Sequence, residues 1–277
     1  MGKEIDGFLD KQLDQRSKYL RKLIVRALEG AGKGHVGSAL SCVEIIRVLY
    51  DDVMKYQPSN PAWADRDRFI LSKGHACLAL YAILADKGFI GIDELSGYTN
   101  PKSRLGGCSE STVPGVEATT GALGHGLSVG AGMALAARLQ GRSSRVFVMV
   151  GDGELNEGSV WEAALFSAKH QLSNLTLIVD RNWLQIAGPT EVVTPLEPLK
   201  EKLEAFGFHT IEVDGHDLLQ MRQELSIVLP SGPPRAMICH TVKGKGFPFA
   251  ENDHNWHWKS GINSELIAKM NEALEMP

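Results

Sequence analysis

Val146-Phe147-Val148-Met149-Val150-Gly151-Asp152-Gly153-Glu154 is the stretch on which the fold turns. An unbroken apolar run, alternately β-branched, stops at a glycine turn. Such a run suits a strand buried on both faces. Further on, Leu175-Thr176-Leu177-Ile178-Val179 repeats the pattern and ends at Asp180-Arg181-Asn182. Between the two, Val160, Ala164 and Ala168, with Trp161 and Leu165, fall at i, i+4 spacing and predict a helix over 157–170. Strand, helix and strand at this spacing make a βαβ unit. Its crossover sets the carboxyl ends of two parallel strands side by side, where open α/β sheets bind ligands. Asp152 and Asn182 would then each present a hard oxygen donor beside a turn that lets backbone approach a diphosphate. Mg²⁺ or Ca²⁺ is held against phosphate oxygens by such donors. Gly-Asp-Gly by itself fits an ordinary turn equally well. The second strand, ending in Asn182, separates the two readings.

Composition narrows the class. The chain has 277 residues, 43% of them hydrophobic, enough to bury one large core or two smaller ones. Its net charge of −4, from 29 basic and 33 acidic residues, and the lack of any basic run exclude a nucleic-acid footprint. Cys42, Cys77, Cys108 and Cys239 are scattered without zinc spacing and read as reduced thiols of a cytoplasmic protein. Met1 to Asp6 carries acids and no apolar segment, so no signal peptide is expected, and Asp6 spoils a myristoylation motif. No run is long enough to span a membrane.

Outward from the central unit, apolar spacing predicts a helix over 8–30, stopped by Gly30 and Gly32. A second helix is expected over 41–50, with Ser41 as cap and Glu44 completing a capping box. Phe69-Ile70-Leu71 reads as a short strand, with helices over 74–86 and 123–140. Residues 97–118, rich in Gly, Ser and Pro, form a long irregular loop, a feature that is often functional. Helices near 198–206, 217–228 and 264–274 and strands near 208–213 and 236–239 complete one α/β domain over 1–277, a doubly wound, mainly parallel sheet flanked by helices. Gly30-Ala31-Gly32-Lys33-Gly34 is not a P-loop, since Gly follows Lys33 and a helix precedes it. The glycines at 151, 153 and 158 miss the dinucleotide spacing.

The continuation Asn182-Trp183-Leu184-Gln185-Ile186-Ala187-Gly188-Pro189-Thr190 resembles the thiamine-diphosphate enzymes, and within them the transketolases. Gly34-His35-Val36-Gly37, Ser72-Lys73-Gly74-His75, Pro114-Gly115-Val116-Glu117, Thr120-Gly121-Ala122-Leu123-Gly124 and Thr241-Val242-Lys243-Gly244 agree in order along nearly the whole chain. The resemblance implies the amino-terminal subunit of a split transketolase, with thiamine diphosphate and Mg²⁺ (or Ca²⁺) as cofactors. It implies Asp152, Asn182 and the main-chain carbonyl of Leu184 as metal ligands. It places Gly121, Leu123, Gly124, Gly153, Glu154, Ile186, Lys243, His75 and His254 with Asn182 around the cofactor. His35, His75, His254 and His257 are the candidate catalytic groups, since a neutral imidazole can donate and accept at neutral pH. His170, His209, His216 and His240 read as structural, and His125 has no assigned role.

Transketolases carry a sugar-binding histidine in a Gly-His-Pro stretch, where this chain reads Leu105-Gly106-Gly107-Cys108-Ser109-Glu110. The departure implies a donor or acceptor other than the usual pentose phosphates. The family's activating glutamate lies in a second domain, so the resemblance implies a separate carboxy-terminal subunit that supplies it, in an α₂β₂ assembly inactive as α alone. The reaction implied is transfer of a two-carbon ketol unit from a ketose (phosphate) to an aldose. Two competing readings stand beside it: a thiamine-dependent transferase, or the α chain of a dehydrogenase, acting on a 2-oxoacid; and a non-catalytic paralogue.

Overall fold

The structure, a computed structural model, describes residues 12–276, so residues 8–11 of the first expected helix and the whole Met1–Asp6 segment lie outside it. Helix α1 (Gln15–Ala31) starts where the Asp14 carboxylate accepts from Ser17 N at 2.8 Å and ends at Gly32 in the left-handed region. The two-residue strand β1 (Lys33–Gly34) follows, so the Gly-Ala-Gly-Lys-Gly stretch is a helix stop and not a phosphate loop.

Where one capped helix over 41–50 is expected, the chain makes two short ones, α2 (Val36–Leu40) and α3 (Val43–Val48), ending in a π turn over Leu49–Val53. Ser41 and Glu44 form no capping box. The Ser41 hydroxyl donates to Ser38 O at 3.1 Å and to the Asp180 carboxylate at 2.7 Å. Glu44 is held instead by the buried Arg21 guanidinium (3.0 Å) and by His216 Nδ1 (2.9 Å). A fully buried arginine on α1 requires an anion at this point, and that demand outweighs a cap worth about 1 kcal/mol.

The main sheet comprises β2 (Arg68–Leu71), β3 (Val146–Gly151), β4 (Leu175–Arg181), β7 (His209–Asp214) and β8 (Arg235–His240), with two-residue strands β5 (Leu184–Gln185) and β6 (Gly188–Pro189) between. The sheet runs in the order β2-β3-β4-β8-β7, with every neighbouring pair parallel. Strand β9 (Lys259–Ser260) pairs antiparallel with β1. Between the strands lie α4 (Cys77–Asp86), α5 (Gly126–Leu139), α6 (Gly158–Lys169), α7 (Thr190–Val193), α8 (Leu199–Ala205) and α9 (Leu218–Leu225), and α10 (Ser264–Glu275) follows β9.

The period-2 pleat splits the strands' apolar residues between two faces. Phe147 and Met149 join the core under α1, α3, α4 and α10, whereas Val146, Val148 and Val150 join a second core under α5 and α6. Each fully buried side chain of this kind contributes about 1.5–3 kcal/mol. Gly130 shows how closely α5 is seated: a Cβ there would lie 2.3 Å from Val148 Cγ2. Register brings Gly151 level with Asp180, and Asp180 level with Cys239, so the carboxyl ends of β3, β4 and β8 open onto one edge.

Candidate active site

A cavity of about 460 Å³ opens at that edge. Asp152, Gly153, Glu154, Asn182, Leu184, Ile186, Gly121, Leu123, Lys243, His35, His75 and His257 all line it. Two expected residues do not. Gly124 lies behind the wall, where its N–H donates to Glu154 Oε1 at 2.8 Å. With φ at +87 and space for a Cβ blocked by Ser159 Oγ at 2.4 Å, Gly124 lets the 121–125 loop press against the start of α6. His254 is exposed at the first position of a short 3₁₀ turn (His254–Trp256). Burial of Trp256 in that turn directs His257, not His254, into the cavity.

The three oxygens expected at the cation lie on two connected segments. Asp152 Oδ1 accepts from Gly153 N (2.8 Å) and Oδ2 from Trp183 N (2.6 Å), the peptide between Asn182 and Leu184. Asn182 Oδ1 accepts from Leu184 N at 3.2 Å, and Leu184 O accepts from Lys243 Nζ at 2.7 Å. Trp183 holds φ at +69, costly for a residue with a Cβ. Its ring is clamped between the Arg181 guanidinium, 3.6 Å from the ring centre, and the stacked ring of His240.

This donor set fits a hard cation that takes further ligands from a phosphorylated molecule. Among the described residues no cluster of three or more His, Cys, Asp or Glu could hold a metal. One carboxylate, one amide and one carbonyl instead match a Mg²⁺- or Ca²⁺-type shell completed by phosphate oxygens. Lys73 and Lys243 supply positive charge in the same wall. The buried His35 Nδ1 and Gln185 Nε2, both on cavity-lining residues, find no partner among the described residues, as expected of groups that meet a polar ligand.

Electrostatics favour neutral imidazoles. The ring centres of His35, His75 and His257 form a triangle with sides of 5.1, 5.2 and 5.5 Å. Burial, reinforced by the Lys243 ammonium, lowers His35 to about 4 and His257 to about 3, and burial with Lys73 holds His75 well below its usual value. Burial likewise lowers Lys243 to about 8, against the pull of Asp152. Burial raises Asp152 to about 6, and a divalent cation at that carboxylate would act in the opposite sense. Three neutral rings around one cavity can donate to and accept from a polyhydroxylated substrate.

Lys73, Asp180 and Arg181 stand in stretches the sequence singles out but carry no expected role, and Glu154 is expected at the site without its partners. Lys73 and Asp180 form a buried ion pair beneath the cavity. Arg181 binds Asp152, and the buried Glu154 ties three loops by accepting from Ser72 Oγ, Gly124 N and Gly151 N. The available signal was charge itself, at the ends of apolar strands where a lone charge is costly. His125 bonds back to the carbonyls of its own loop, Ala122 and Leu123. His216 and His240 are engaged with Glu44 and Glu212.

A family model described as the thiamine diphosphate binding domain of transketolase matches residues 13–277. The chain belongs to the transketolase family. It is 42% identical over 246 residues to one subunit of the apulose-4-phosphate transketolase of Phocaeicola vulgatus, covering 88% of each. It is 38% identical to a 6-deoxy-6-sulfo-D-fructose transketolase subunit of a Clostridium species, covering 90% of this chain and 94% of that one. The solved transketolase of Campylobacter jejuni superposes with a TM-score of 0.86 at 31% identity, over 95% of this chain and 43% of that one. The chain thus spans less than half the length of that full transketolase and nearly all of the two relatives that are single subunits. The parallel sheet flanked by helices is the transketolase diphosphate-domain fold.

Proposed function

We propose that this transketolase chain supplies the diphosphate- and cation-binding half of a two-chain transferase that moves a two-carbon ketol unit from a ketose to an aldose. The observation that carries the reading is the hard oxygen set of Asp152, Asn182 and Leu184 on the wall of one cavity with three neutral histidines. Asp152, Asn182 Oδ1 and Leu184 O would hold Mg²⁺ or Ca²⁺, with Lys243 and the Gly153 backbone at the diphosphate. Gly121, Leu123 and Ile186 would flank the cofactor rings. When bound, thiamine diphosphate supplies a stabilised carbanion for cleaving and forming the C–C bond. His35, His75 and His257 then hold and move protons on the substrate's hydroxyls, a task for which neutral rings are suited. The exposed His254 is assigned no proton in this scheme.

A second chain would supply the activating glutamate and close the cavity, in an α₂β₂ assembly. The near-complete overlap with relatives that are themselves single subunits of transketolases supports this. Helices α5 and α6 both begin at the cavity rim, and their outer faces expose Val129, Leu165 and Phe166, an apolar surface suited to cover by that chain. Cys108 lines the cavity wall in a stretch that lacks the histidine of the family's Gly-His-Pro pattern, which supports a sugar phosphate outside the common pentose series. We place the protein in the cytoplasm on its four free cysteines. Among the described residues no helix is long and apolar enough to cross a membrane.

The test is reconstitution. The chain mixed with its partner, thiamine diphosphate and Mg²⁺ should transfer a ketol unit from a ketose phosphate, and neither chain alone should. Full activity from this chain alone would overturn the two-chain reading. Release of CO₂ from a 2-oxoacid in place of ketol transfer would favour the competing donor class.

A further inference from the structure

Asp180 lies one residue before the end of β4, level with Gly151 and Cys239 and completely buried. Both oxygens of its carboxylate accept hydrogen bonds. Oδ2 receives Lys73 Nζ, Ser41 Oγ at 2.7 Å and Asn182 Nδ2 at 2.9 Å, while Oδ1 receives Thr241 Oγ1. Lys73 Nζ also donates to Ser38 O at 2.9 Å. The network therefore joins α2, the end of β2, the end of β4 and the segment after β8 directly beneath the cavity.

An amide side chain has one donating and one accepting end, and only the hydrogen-bonding surroundings decide which way it faces. Here the NH₂ group of Asn182 is fixed against a carboxylate. Reversal would set two oxygens against each other in a buried place and aim NH₂ at the cavity. We propose that Asp180 is the positioning residue that locks the Asn182 amide with its oxygen toward the cation, itself held in place by its ion pair with Lys73. The inference rests on Asn182 being a cation ligand and goes beyond it: the ligand's orientation is set by a neighbour that itself touches neither cation nor substrate. Partners of this kind typically change metal affinity 10- to 100-fold when removed.

Two double variants of the full chain separate orientation from charge. Lys73→Met with Asp180→Leu removes the ion pair and the acceptor for Asn182. Lys73→Met with Asp180→Asn removes the same charges but keeps an acceptor. Mn²⁺ affinity of each variant reconstituted with its partner subunit and thiamine diphosphate is read by electron paramagnetic resonance, with thermal unfolding as the control for folding. The expected result is a roughly 10- to 100-fold weaker affinity for the Leu variant than for the Asn variant at similar thermal midpoints. Equal affinities in the two variants would overturn the proposal. An unaltered chain that binds no Mn²⁺ even with its partner subunit would overturn the cation reading itself and the proposal with it. Hydrogen exchange of the Asn182 side-chain amide in the unaltered chain gives a measurement independent of variant folding. Slow exchange is expected, and exchange at the rate of an exposed amide would also overturn the proposal.

Discussion

Arg181→Met is the substitution from which the structure allows the most to be computed. The guanidinium is fully buried; Nη1 donates to Thr190 Oγ1 at 2.6 Å and to Asp152 Oδ2 at 3.3 Å. Nη2 donates to Glu191 Oε1 at 2.7 Å and Glu197 Oε1 at 2.8 Å, and the plane stacks on Trp183. Methionine fills much of the volume, so the cavity contribution is small. The Glu197 side chain is 44% exposed and regains water at little cost, but those of Asp152 and Glu191 are only 3% and 15% exposed. A buried charge losing its partner costs about 3–5 kcal/mol, and the lost stacking about 1–2 kcal/mol. Relief from desolvating the arginine offsets part of this. A net loss of about 3–5 kcal/mol is expected. With a urea slope of about 3 kcal/mol/M, the unfolding midpoint should fall by about 1–1.7 M. Trp fluorescence reports it, and thiamine diphosphate affinity should fall as well, because Arg181 fixes the segment carrying Leu184 and Ile186. Arg181→Lys should recover less than half, since an ammonium cannot span two carboxylates and stack. A midpoint shifted by less than about 0.3 M would refute the claim that Arg181 clamps this segment.

Other outcomes follow from the same geometry. His35 and His257 have folded pKa values below their ordinary value of 6.5, so the unfolded chain binds more protons between the two values. Their contribution to stability is complete above about pH 6.5 and shrinks as pH falls towards 4; urea midpoints at pH 7.5 and 5 should show the decline, and a flat profile would contradict it. Cys108→His places a hydrogen-bonding group on the cavity wall and should raise kcat/KM for the common pentose phosphates by roughly tenfold or more, with an unchanged substrate profile counting against Cys108 as a specificity residue. Ile186 is 68% exposed at the cavity lip, so Ile186→Ser should leave stability within about 0.5 kcal/mol while weakening cofactor binding; a folding defect without a binding defect would reverse that assignment.

The central βαβ unit was legible because its strands are buried on both faces and so appear as unbroken apolar runs, and α6 (Gly158–Lys169) shows its period plainly. The sites of Asp152 and Asn182 were legible for the same reason, as polar residues that end such runs. Long-range charge pairing was not. Ser41 and Glu44 carry a capping pattern, yet their partners, Asp180 at a separation of 139 and Arg21 on another helix, are set by topology. Lys73 sits in the Ser-Lys-Gly-His motif, but its burial against Asp180 depends on β2 and β4 both ending at one edge. His254 and His257 could not be ranked by spacing, because the choice rests on which side of a short turn Trp256 buries. The minor pairs β1–β9 and β5–β6, of two residues each, are too short to leave a period.

Anomalous diffraction from crystals of this chain assembled with its partner subunit, thiamine diphosphate and Mn²⁺ tests the central assignment most directly. A single strong peak is expected within about 2.0–2.3 Å of the Asp152 carboxylate, Asn182 Oδ1 and the Leu184 carbonyl, with Lys243 Nζ displaced from that carbonyl. A peak bound elsewhere, or one that touches Asp152 but not Asn182 Oδ1, would contradict it.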